Sequence, residues 1–157
     1  MLKVAEGVEN LISADGLGLD GGLTVRTTLD PIAEPTDPAF AAGGVLAQVV
    51  PRSTELEPGR ARPERWMVTV DVGLLGKLDP EGQGDRELTA REVVLPAAHL
   101  VLALVQANPL EAGGVRLRSD YRAGRVLVEE MRDLLRERDL IGAIARCEIA
   151  LHEQGAG

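Results

Sequence analysis

The chain has 157 residues, 45% apolar and 27% charged, proportions ordinary for a globular domain that buries a core without cross-links. Its formal charge of −8 and its only three aromatic residues, Phe40, Trp66 and Tyr121, exclude a surface that wraps a phosphate backbone or stacks bases. A lone cysteine, Cys147, excludes an intrachain disulfide and a thiolate zinc framework.

Leu2, Val4, Val8, Leu11 and Ile12 recur at helical spacing and predict a short amphipathic helix over residues 2 to about 13. The glycine-rich piece Asp15 to Gly22 ends it as a flexible turn. It lacks the lysine of a phosphate-binding loop and a strand leading into it. Leu23 to Leu29 alternates as a strand. Asp30 to Gly44, with Pro31, Pro35 and Pro38, reads as a surface loop.

The next stretch is the most informative. Val45 to Val50 is an apolar β-type run. Trp66, Val68, Val70, Val72 and Leu74 alternate with Met67, Thr69, Asp71 and Gly73, the mark of a strand with one buried face. Between these runs, Pro51 to Arg65 is predicted to project as an extended polar arm, longer than a hairpin needs. Within it Arg52, Arg60, Arg62 and Arg65 alternate with Glu55, Glu57 and Glu64. Mixed signs of this kind suit ion pairing between subunits better than phosphate capture.

Thr89 to Glu92 fits a capping box at a helix start. Val93 to Val105 is apolar nearly all round, which predicts a helix buried on more than one side, with Pro96 either kinking it or opening it. That run is also too short to span a bilayer, and no leader pattern opens the chain, so a cytosolic protein without membrane contact is expected. Val115 to Arg118 alternates briefly. Over residues 125–138 the stripe Leu127, Val128, Met131, Leu134 and Leu135 favours a helical piece, with a continued strand through Val126, Val128 and Glu130 as the alternative. Finally Ala143, Ala145, Cys147, Ile149 and Leu151 face one way, with Arg146, Glu148 and His152 on a solvated or subunit-facing side. The last residues, 154–157, are expected to fray. The sum is a single α+β domain, an antiparallel or mixed sheet packed by a buried helix.

No catalytic constellation emerges. The motifs H-E-x-x-H, C-x-x-C and G-x-S-x-G are absent. His99 is expected as a hydrogen-bonded core imidazole and His152 as a solvated one. An enzyme reading would need His99 to line a pocket beside an acid such as Glu92. Glu129, Glu130 and Asp133 lie at helical spacing from Arg125, Arg132 and Arg136 and read as a solvated face. No enzyme activity, cofactor or metal is therefore expected.

The run Val49-Val50-Pro51-Arg52-Ser53, then a charged arm, then the alternating strand Trp66 to Lys77, resembles the strand pair of small neck and tail-terminator proteins of long-tailed bacteriophages. Asp133 to Ile144 resembles the lead into that family's final strand, here Ala143 to Leu151. The resemblance implies a structural virion protein of the tail or neck, assembled in the host cytoplasm. It would form a homo-oligomeric ring, six-membered in the family, joining tail tube protein to head–tail connector proteins. DNA would pass through without sequence-specific binding, and an acidic bore would repel it. On this reading Arg52, Glu55, Glu57, Arg60, Arg62, Glu64, Arg65, Arg146 and Glu148 are the candidate interface residues. The alternative from a different class is a non-viral cytosolic α+β binding module, without catalytic activity, that oligomerises through an exposed strand edge.

Overall fold

The computed structural model describes residues 2–19, 22–30, 33–34, 36–56, 65–77, 86–128 and 140–152. In chain order these form α1 (Leu2–Asp15), β1 (Leu23–Thr27), β2 (Val45–Leu56), β3 (Arg65–Lys77), α2 (Arg86–Ala107), β4 (Glu111–Ala112), β5 (Val115–Arg116), β6 (Ser119–Leu127) and β7 (Leu140–His152). Five strands make one sheet in the order β1-β2-β3-β7-β6, while β4 and β5 form a small separate ribbon. Only β1 runs parallel to its neighbour, so the sheet is mixed. With helices packed on it, this is an α+β fold.

The alternation in β3 builds the centre. Val68, Val70, Val72 and Leu74 are each fully buried on one face. Register sets them beside Val49 and Ala47 of β2 and beside Ile149, Cys147, Ala145 and Ala143 of β7. Both helices cover this face. α1 contributes Val4, Val8 and Ile12, and α2 contributes Val94, Ala97, Ala98, Val101 and Val105. Alanines on α2 and β7 meet here, and their small side chains let the helix approach the sheet closely.

The glycine-rich segment is more ordered than a flexible turn. Asp15 accepts a hydrogen bond from the Leu17 amide at 3.1 Å, and a 3-10 turn follows over Gly16–Gly18. Leu17 adopts a left-handed φ of 54°, a conformation costing a non-glycine residue about 1 kcal/mol, and its buried side chain offsets that cost. Gly113 and Gly114, at φ 59° and 76°, supply the two positive-φ positions of the tight turn joining β4 to β5.

Residues 30–44, expected as a plain surface loop, contribute a second core. Ala33, Ala39 and Phe40 bury against Leu46, Leu75 and Leu140 on the opposite face of the sheet. The 3-10 turn Pro38–Gly43 carries Phe40 inward. Gly44 closes it, since a β-carbon there would run into the Ala39 carbonyl oxygen. Asp37 caps the turn by accepting from the Ala39 amide at 2.9 Å and takes both Arg26 guanidinium nitrogens at 2.6 and 2.9 Å. The Arg26 hydrogen bond, helped by the Ala39 amide, holds the Asp37 carboxyl below its ordinary range. A depressed carboxyl pKa stabilises the fold above its unfolded value of about 3.9, and that contribution is lost as pH falls through the folded value. Asp37→Ala is therefore expected to cost about 1 kcal/mol in urea unfolding at pH 7. The difference from wild type should vanish in acid.

Further sequence expectations need correction. Pro51 to Leu56 do not project as an arm: β2 runs on to Leu56 and pairs with β3 down to Trp66. The rest of that segment, 57–64, lies outside the described residues. Thr89 to Glu92 lie within α2, which begins at Arg86, so the Thr-x-x-Glu spacing does not mark the helix start. Pro96 sits in that continuous helix with its ring exposed. Residues 125–127 are strand, paired with β7, while 129–138 lie outside the described residues. Finally, α2 is buried on one side only. Val93 and Leu100 remain 39% and 38% exposed, and His99 is exposed rather than in the core. A single helical layer on the sheet leaves the far side of α2 uncovered.

Candidate functional site

The most highly organised polar group lies on the outer face of the sheet, the face opposite the helices. Asp71 of β3 and Arg146 of β7 are direct cross-strand partners. Arg146 donates from Nε to Oδ1 at 2.8 Å and from its terminal amine to Oδ2 at 3.0 Å, a two-pronged bond. Asp71 is buried and the Arg146 side chain only 17% exposed. Arg52 adds a third charge, its Nε 3.4 Å from Asp71 Oδ2.

A local irregularity delivers Arg52. The β2–β3 register shifts between Pro51 and Ser53, so Arg52 is the extra residue of a β-bulge. A bulge turns such a residue out of strict alternation, and here the guanidinium reaches Asp71. On the facing edge the β6–β7 register shifts between Tyr121 and Ala123, placing Arg122 at a second bulge. Beside Asp71 on this face, buried Gln48 keeps its Oε1 without a hydrogen-bond partner, a desolvation cost of about 1–3 kcal/mol that the fold carries.

The structure divides the candidate interface residues. Arg52 is half exposed and Glu55 exposed, both on β2. Arg146 is committed to Asp71 within the chain. Glu148 is half-buried in the next row, between Thr69 and Ala123. Arg65 opens β3 opposite His152. Glu57, Arg60, Arg62 and Glu64 lie outside the described residues. Sequence reasoning missed Asp71 as a functional partner. The one available signal was an acid at the midpoint of a strand whose other face is wholly apolar.

Among the described residues the remaining titratable groups do not converge. Burial, with a smaller push from the Asp71 charge, raises the Cys147 thiol to about 12, so it stays protonated at neutral pH. An open cleft of about 690 Å³ lies where α1, the β4–β5 ribbon and the end of β7 meet, lined by Trp66, Val115, Leu117, Lys3, Arg118 and His152. His152 Nε2 stands 2.9 Å from Asp120 Oδ2. Glu92 lines a smaller cleft of about 360 Å³ with Leu17, Val93, Pro96 and Leu100, and His99 does not line it. None of the clefts at these positions is lined by both His99 and Glu92. Among the described residues no group of three or more His, Cys, Asp or Glu is placed to hold a metal ion. Among the same residues no helix is long and apolar enough to cross a membrane.

No protein-family model and no curated protein sequence matches the chain. A solved structure known by a serial designation alone is similar at 16% sequence identity, over 96% of this chain and 94% of that one. Its TM-score of 0.44 is too low to carry a fold or a function across.

Proposed function

We propose that this chain is a structural virion protein of long-tailed bacteriophages, a tail terminator or head–tail joining component. In this reading copies of the chain form a ring between tail tube and head connector, through which DNA passes. The observation that carries the reading is the order of parts. A Val-Val-Pro-Arg segment lies in the middle of a long strand, the charged residues 57–64 follow in sequence, and an alternating strand ends on a lysine. β2 and β3 supply the two strands, and the Val-Val-Pro-Arg segment coincides with the bulge at Arg52. A rigid hairpin of this length is suited to holding a charged connection against a neighbour. The acid balance of the chain agrees with a passage to which DNA does not adhere.

The edge strands β1 and β6, each paired on one side only among the described residues, favour a second reading, a binding module that oligomerises through a strand edge outside any virion. One construction separates them: replacing residues 57–64 with a two-residue turn. The virion reading expects weaker assembly with an unchanged circular dichroism spectrum, and the edge-only module expects no change. For the virion role itself, light scattering after size exclusion is expected to give a multimer that binds purified tail tubes. A species that stays monomeric even with tail tubes present overturns it.

A further inference from the structure

The helix-covered face of the sheet is sealed as far as Val68 and Ile149, which are 0% and 1% exposed. Trp66 and Leu151, the next cross-strand pair along that face, are only half-buried. Cover ends at this last apolar rung, and the cleft of about 690 Å³ opens over it. Pockets that hold small molecules run from roughly 300 to 1,000 Å³, so the size is suitable. Half-buried Leu117 and exposed Val115 extend the apolar lining. Lys3 and Glu6 of α1, together with Arg118, supply the charge, and all three are exposed. Among the described residues none of these three side chains makes an ion pair or a hydrogen bond. His152 also lines the cleft, but its Nε2 is engaged by Asp120. Two unpaired cations therefore stand against one acid, a local excess of positive charge in a chain of net charge −8.

We infer that this cleft binds a small amphiphilic anion, a single carboxylate carried on an apolar chain or ring. The apolar body lies on Trp66 and Leu151 and completes the cover that the helices leave open, removing that rung from water. The acid group lies at Arg118 and Lys3. A guanidinium offers two parallel donors to one carboxylate, and those of Arg118 are not taken by any acid among the described residues. Arg118 and His152 also line an adjoining cleft of about 500 Å³, so the charged end sits where the two clefts meet. Glu6, beside Lys3 in the lining, repels a second negative charge, which favours a monoanion over a polyphosphate. The inference draws nothing from assembly of the chain and holds under either reading of its function.

The test reads Trp66, the sole tryptophan, by energy transfer to anilinonaphthalene sulfonate, a fluorescent ring system bearing one acid group. Titrating the full chain with the dye is expected to give saturable transfer at one dye per chain. Decanoate should displace the dye at a concentration about tenfold or more below that needed with decanol, which has the same chain without the acid. Decanol is the more apolar of the two, so partition into a merely greasy surface gives the opposite order. The variant Lys3→Glu/Arg118→Glu should bind dye and decanoate about tenfold or more weakly than wild type. Val115→Asp, an exposed position of the apolar lining, should weaken both as well. Circular dichroism shows whether each variant is folded, and the comparison of decanoate with decanol decides the acid preference on the wild type alone. Absence of saturable transfer, displacement by decanol at or below the decanoate concentration, or folded variants that bind as wild type each overturn the site.

Discussion

Replacing Asp71 with leucine is expected to lower the unfolding free energy by about 3–5 kcal/mol, read from the midpoint of urea unfolding at pH 7. The magnitude comes from what is left behind rather than from the bond itself. Asp71 is buried, and Arg146 is largely so, held by two short hydrogen bonds to that one carboxylate. Without Asp71 the guanidinium keeps its desolvation cost and loses its principal counter-charge. Arg52 lies close enough to add repulsion once the acid is gone. Arg146→Met alone should cost less, because Arg52 still stands 3.4 Å from the buried carboxylate. The double variant Asp71→Leu/Arg146→Met should recover most of the loss, because a buried pair contributes little net stability over apolar replacements. Additive losses in that double variant would mean that the two side chains do not act as a unit.

The second large effect separates the two sides of α2. Leu74→Ala at the centre of β3 is expected to cost about 2–5 kcal/mol, from lost transfer energy and the cavity left in a closely packed core. Its side chain is fully buried between the α2 layer and the neighbouring strands. Leu100→Ala removes the same atoms from the outward side of α2, where the residue is 38% exposed, and should cost less than about 1 kcal/mol in the isolated chain. Equal losses at the two sites would contradict a one-sided helix. Urea unfolding of both variants at low protein concentration decides the matter, since self-association would otherwise add to the apparent stability.

These two expectations draw on different amounts of sequence information. Leu74 was legible from period-two alternation alone, because a strand buried on one face must place Val68, Val70, Val72 and Leu74 together. The same pattern identified Ala143, Ala145, Cys147 and Ile149 as the buried side of β7. For α2 the pattern misled. Residues 93–105 are apolar around the whole circumference, and nothing local tells which side meets the sheet. His99 therefore falls on the exposed side although its neighbours in sequence are apolar. β6 escaped notice because an edge strand carries charge on both faces and so loses the alternation that marks its inner neighbours.

Residue order by itself determined which side chains of β3 and β7 point into the core, since strand geometry sends every second residue the same way. Only the tertiary structure decided that Asp71 meets Arg146, 75 positions later, and that Arg52, at a bulge, reaches the same carboxylate. Strand register and strand order depend on pairing between distant segments, and the period of a single segment carries no record of its partner.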